Sequence, residues 1–168
     1  MNFKELNIDD FKCNPFSKIG KDWMLISSGT AEKFNTMTAS WGGLGVMWGK
    51  NVAFTFIRPQ RYTKEFVDNN ERFSLCFFDD SYKNTLSYLG SVSGRDDNKV
   101  EKCGLTSYFV NNVPCFKEAD LLLICRKLYV QEMVPSCFVD GSLDGKWYEK
   151  RDYHFMYVSE IEKILINN

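Results

Sequence analysis

The stretch from Asn35 to Thr63 constrains this chain more than any other. It opens as Asn35-Thr36-Met37-Thr38-Ala39-Ser40-Trp41, crosses Gly42, Gly43, Gly45 and Gly49, and continues as Asn51-Val52-Ala53-Phe54-Thr55-Phe56-Ile57. In the first run Thr36, Thr38 and Ser40 alternate with Met37, Ala39 and Trp41. That period of two belongs to a half-buried strand, not to a helix. The spacing predicts a strand over 33–40 with its hydroxyls on one face, then a glycine-rich turn, then a strand over 52–57. Pro59 stops the second strand, because proline has no N–H for the ladder. The glycines lack the third position of a dinucleotide-binding fingerprint, and no long helical pattern follows them. They read instead as places where backbone turns or approaches a neighbour closely.

A cationic cluster follows the second strand, at Arg58, Arg61 and Lys64. Thr63 is expected to cap a short helix over 64–69. A helix start offers free N–H groups and the positive end of a dipole, and an arginine fork matches phosphate oxygens. From pattern and charge alone, this is an anion-binding β-domain.

The rest of the chain supports a β-rich reading. Aromatic residues make up 15%, with 14 Phe and 8 Tyr, as strands favour. Strands are expected over 23–29, 72–78 and 152–161. The long apolar run from Ala119 to Val134 has the length of a helix, while the β-branched and aromatic residues of its second half favour a strand; a turn is expected at 111–114, a helix from Asp79 to about Leu89, and a turn or loop over 142–147. A polar loop from Gly90 passes into a short helix that Gly104 ends. At 168 residues the whole chain is expected to be one domain, with 1–20 as an N-terminal extension packed on the body through Phe3, Leu6, Ile8 and Phe11.

Several function classes are disfavoured. The net charge of −1 gives no broad attraction to nucleic acid or anionic lipid. No apolar run is long enough for a spanning helix, and Met1 to Leu6 does not begin a signal peptide. A cytoplasmic location is expected. The six cysteines, Cys13, Cys76, Cys103, Cys115, Cys125 and Cys137, form no Cys-x-x-Cys pair, so free thiols are expected and a zinc site is not. No Ser-His-Asp order and no carboxylate pair stands out.

The Asn-x-Met-Thr-x-Ser-Trp run, with the Arg-x-Thr of Arg61 to Thr63, resembles the flavin reductase-like family. Ser93-Gly94-Arg95-Asp96, Lys99 and the closing Asp152-Tyr153-His154 are similar to later blocks of that family. In the closing block Tyr153 separates Asp152 from His154, and Ser159 stands where the family has glycine. The likeness spans roughly Trp23 to Ile161.

The resemblance implies a mainly β fold, an antiparallel Greek-key split barrel with a few short helices, and FMN as cofactor. It implies flavin contacts from Asn35, Thr36, Met37, Thr38, Ala39, Ser40 and Trp41, phosphate contacts from Arg58, Arg61, Thr63 and Lys99, and further cofactor contacts from Tyr62, Ser93 and Arg95. His154, the sole histidine, would lie near the flavin or the reductant. A homodimer is implied, with electrons passing from NAD(P)H or a protein donor to a flavin or another acceptor. Two alternatives remain open: a flavin-binding, storage or partner-binding module without turnover, and a related split-barrel oxidase acting on a small phosphorylated substrate.

Overall fold

The structure is a computed structural model that describes residues 2–167. Ten strands form: β1 (Phe3–Leu6), β2 (Met24–Gly29), β3 (Phe34–Ala39), β4 (Gly42–Met47), β5 (Lys50–Ile57), β6 (Arg72–Phe77), β7 (Ser107–Val110), β8 (Val113–Phe116), β9 (Leu121–Glu132) and β10 (Phe155–Asn167). Among the described residues five short α-helices accompany them: α1 (Pro15–Ser17), α2 (Tyr62–Asn69), α3 (Lys83–Ser91), α4 (Lys99–Lys102) and α5 (Gly141–Trp147). The main sheet runs β3-β2-β6-β9-β10-β5-β4, with β1 added to β10, and every pairing is antiparallel.

One covalent fact gives this sheet its shape. β3 and β4 lie at opposite ends of the strand order, yet only Ser40 and Trp41 separate them in sequence. Three Cα steps span at most about 11 Å. The sheet therefore curls until its two edges nearly meet at this corner, and they diverge from there as a barrel left open along one side. The long strand β10 accommodates the curl through register shifts at Val158/Ser159 and Ile161/Lys163 against β9, where bulges sharpen the bend.

Curling gives the sheet an inner and an outer face, and both are covered. Met24, Ile26, Met37, Ile57, Phe73 and Tyr157 meet inside the barrel. Leu25, Cys76, Leu122 and Ile124 on the outer face meet Leu86 and Leu89 of α3 and Phe116 of the separate β7-β8 ribbon. This explains why β2 (Met-Leu-Ile-Ser-Ser-Gly) shows no alternation of apolar and polar residues: all six are buried, as in a strand packed on both faces. Leu6, Ile8 and Phe11 pack against the inner cluster, and Phe3–Leu6 is a strand of the main sheet.

Four local expectations are corrected. The glycines after Trp41 do not make a turn; Gly42 to Gly45 lie in β4, and the turn is Trp48-Gly49, both at positive φ. Glycine is required at Gly42, where a Cβ would meet the Phe54 carbonyl oxygen at 2.6 Å. Thr63 is no cap: Arg61 holds that position without a side-chain hydrogen bond, and Thr63 is buried in the first turn of α2. The segment over 142–147 belongs to α5, whose N-cap Asp140 accepts from the Ser142 N–H. At 111–114 the turn is limited to Asn111-Asn112, both left-handed, while Val113 and Pro114 begin β8.

Candidate functional site

The corner where the barrel opens gathers a group of residues far apart in sequence. Met37, Thr38, Ala39, Ser40 and Trp41 come from the end of β3 and the link to β4. Phe56 and Arg58 come from the end of β5, Arg61 from the turn before α2, Trp147 from α5, and His154 from the residue before β10. Together they line a cavity of about 170 Å³. That is smaller than the 300–1,000 Å³ usual for a small-molecule site, so a flavin-sized ring would seat in it only partly.

Aromatic rings dominate one wall. Trp41 lies 4.9 Å from His154, tilted by 39°, and 5.0 Å from Trp147, edge to face. Phe56 meets His154 edge to face at 6.5 Å. The His154 Nδ1 shares a hydrogen bond of 2.8 Å with the Tyr148 hydroxyl. Burial, and then the positive charge of Arg58, lowers the His154 pKa to about 4, so the ring is neutral near pH 7.

Arginines line the other side. Pro59 sits in a tight turn closed by the Arg61 N–H on the Arg58 carbonyl. Arg58 is committed inside the protein: it forms an ion pair with Asp152 at 2.5 Å, donates to the Trp147 carbonyl, and lies over the Tyr148 ring. Gln60 donates to the other Asp152 oxygen. Arg61 is different. Its guanidinium donates to the Gly90 carbonyl at 2.6 Å and forms no ion pair among the described residues. Burial, and then the neighbouring Arg58, lowers its pKa. A half-buried cation without a carboxylate is costly unless an anion completes it.

Lys99 lies beside Arg61 and is 4% exposed. Its ammonium donates to the Leu89 and Val92 carbonyls. Burial, and then the Arg61 charge, lowers its pKa to about 8. Lys99 and Arg61 thus both cap the C-terminal end of α3, where helix carbonyls are unpaired and the dipole is negative.

The other sequence-predicted residues are dispersed. The hydroxyls of Thr36 and Thr38 are taken up inside the protein, by β2 and by α3 respectively. Thr36 is fully buried and bonds the Ser27 hydroxyl at 2.8 Å, and Thr38 donates to the Leu86 carbonyl. Asn35 donates to the Thr63 hydroxyl at 2.8 Å and packs against Gly94. Asn35, Tyr62, Arg95 and Lys99 line a different cavity, of about 700 Å³. There Arg95 stacks over Tyr62 and pairs with Glu65. The Ser93 hydroxyl accepts from the Arg95 N–H.

Phe56, Trp147 and Tyr148 belong to the corner but carry no sequence signature, whereas Asp152 stands in the closing block that the resemblance covers. Trp147 lay in a segment read as loop, and the Arg58–Asp152 pair spans 94 positions. Among the described residues, no group of three His, Cys, Asp or Glu side chains suits a metal, and no helix is long and apolar enough to cross a membrane. All six cysteines are free thiols.

No family model and no curated protein sequence matches the chain. Its fold has clear likenesses among solved structures. A flavoredoxin from Methanosarcina acetivorans superposes with a TM-score of 0.69 at 20% identity, over 88% of this chain and 69% of that one. An FMN-binding domain of a flavin reductases-like enzyme from Shewanella baltica gives 0.69 at 14% identity, over 98% and 77%. A split-barrel-domain protein from Shewanella frigidimarina gives 0.69 at 16% identity, over 100% and 81%. At these identities the likeness establishes the fold alone: the chain is a split barrel.

The depressed His154 pKa predicts a pH dependence. An unfolded histidine takes its proton near 6.5 and the folded one near 4. The folded state therefore binds fewer protons between these values, and the histidine's contribution to stability, complete above 6.5, is lost as pH falls toward 4. NMR titration is expected to show His154 uncharged at pH 5.5, and denaturant midpoints in wild type to fall over this window more than in H154F. A His154 that titrates near 6.5 contradicts this account.

Proposed function

We propose that this protein is an FMN-binding flavoprotein oxidoreductase whose flavin sits at the open corner of the barrel. The observation that carries the reading is Arg61: a half-buried guanidinium without a carboxylate, at the mouth of an aromatic-walled cavity. A phosphate or an electron-rich ring edge would complete its charge. Trp41 offers a flat wall for a tricyclic ring. The fold supports the choice of cofactor, since solved proteins of the same architecture include a flavoredoxin and an FMN-binding domain.

FMN, once bound, supplies the electron-transfer chemistry through its own ring. The protein's residues have simpler tasks. Arg61 holds negative charge, with Lys99 reinforcing the local positive potential from behind α3. The Arg58–Asp152 pair ties the end of β5 to the segment before β10, so the two walls keep a fixed spacing. The neutral His154, anchored through Nδ1 to Tyr148, adds no charge to the aromatic wall. No acid–base pair is required of the protein, and none is offered at the corner.

The donor is NAD(P)H or a protein partner, and the cell compartment is the cytoplasm. The working unit is a homodimer. β4 leaves an edge unpaired, and Val46, Trp48, Tyr129 and Val130 are exposed nearby, with Trp48 against Tyr129 at 6.2 Å. Such a patch on an open edge favours a partner. Sedimentation is expected to find a dimer that W48E converts to monomer. A wild-type monomer at high concentration contradicts the pairing.

Arg61 provides the direct test. Replacing it with glutamine is expected to weaken FMN binding about ten- to a hundredfold, from the 1.5–3 kcal/mol of a hydrogen bond to a charged group. R61K should recover part of the loss. The measurement is fluorescence titration of FMN, with a melting curve to verify folding. Unchanged affinity in a folded R61Q protein contradicts the assignment.

A further inference from the structure

A second cavity adjoins the corner and has no part in the reading above. It shares Ser40, Trp41 and Phe56 with the first, and its volume is about 540 Å³. Phe16, Ile19, Leu44 and Met133 make its apolar walls. Its remaining boundary includes Tyr148 and the backbone of Gly20, Gly42 and Gly43. None of its lining residues carries a charge. Lys18, next to Ile19 in sequence, is paired with Asp22 and lies outside the lining.

Two glycines keep this space open. A Cβ at Gly20 would meet nothing within 4 Å, and one at Gly43 would meet only the Phe54 ring at 3.9 Å. Neither position has a positive φ. The backbone there tolerates side chains, so the openness comes from the lack of side chains and not from strain. The Ser40 hydroxyl has no hydrogen-bond partner among the described residues and is available to a ligand.

We propose that this cavity seats a neutral, planar ring compound carrying one carbonyl or hydroxyl group, beside the flavin. The role beside a flavin rests on the proposed function; the binding chemistry rests on the cavity alone. The volume lies within the usual range for small ligands. Apolar walls favour a compact aromatic or conjugated ring, which the Ser40 hydroxyl can orient. A carboxylate or phosphate entering here would lose part of its hydration and meet no cation among the lining residues. A nicotinamide dinucleotide, with its pyrophosphate, fits this space poorly, and the cations lie on the Arg61 side of the corner.

The experiment is calorimetric titration of the protein, both with FMN bound and without it, using naphthol and naphthoate at pH 7. Naphthol is expected to bind both forms at least about tenfold more tightly than naphthoate, the discrimination that about 1.4 kcal/mol of unpaired-charge penalty gives. The G43V variant fills open space in a strand-compatible way. It is expected to weaken naphthol about tenfold while FMN uptake stays at its wild-type value. Equal affinity for the two probes, or G43V binding naphthol as the wild type does, overturns the proposal. So does a protein that takes up FMN and binds no naphthol. A protein that binds naphthol selectively but takes no FMN upholds the cavity and overturns its place beside a flavin.

Discussion

The short covalent link from Ala39 to Gly42 is the constraint on which the other features depend. Two residues join the first and last strands of a seven-strand path. No flat sheet can satisfy that link, so the sheet curls, and curling creates an interior. The interior selects alternate residues of every strand: Met24 and Ile26 turn inward, while Leu25 turns outward to meet α3. The same link places Ser40 and Trp41 at the one corner where the wall is incomplete. Backbone that cannot pair with a neighbouring strand is freed there for other contacts.

Electrostatics at that corner follows from how the cations are anchored. Arg58 meets Asp152 and behaves as a strut across the opening. Arg61 and Lys99 meet only carbonyl oxygens near the end of α3. Carbonyls satisfy hydrogen bonds but leave net charge in place, and each cation lowers the other's proton affinity or is lowered by a third. The corner thus holds positive charge that the fold itself leaves uncompensated, next to a wall of neutral rings. A ligand with one flat apolar part and one anionic part suits both halves.

Much of this was legible in the residue pattern. The alternation from Asn35 to Trp41 identified a strand, and Pro59 ended the next one where expected. Runs such as 72–78 were apolar enough to mark central strands. The resemblance located Trp41, Arg58, Arg61 and His154, which the fold does bring into one cavity. What escaped had a physical reason in each case. The hydroxyls of Thr36 and Thr38 are implied as flavin contacts, and nothing local reveals that β2 takes up the first and α3 the second. Glycines in β4 looked like a turn because a residue without a side chain carries no periodicity, and strand pairing with β5 overrode their local preference. The resemblance makes Lys99 a phosphate contact, but no local pattern reveals that tertiary packing buries its ammonium against the carbonyls at the end of α3. Phe56, Trp147 and Tyr148 reach the corner only through long-range pairing, which a linear pattern does not encode.

The claim that the open corner is a flavin site is tested most directly by a visible absorption spectrum of the purified protein. It is recorded before and after FMN is added and the excess removed by gel filtration. The account predicts a yellow protein, as isolated or after loading, that retains flavin in proportion to chain and whose absorption band is shifted from that of free FMN. A protein that emerges colourless, with all added FMN in the small-molecule fraction, contradicts it.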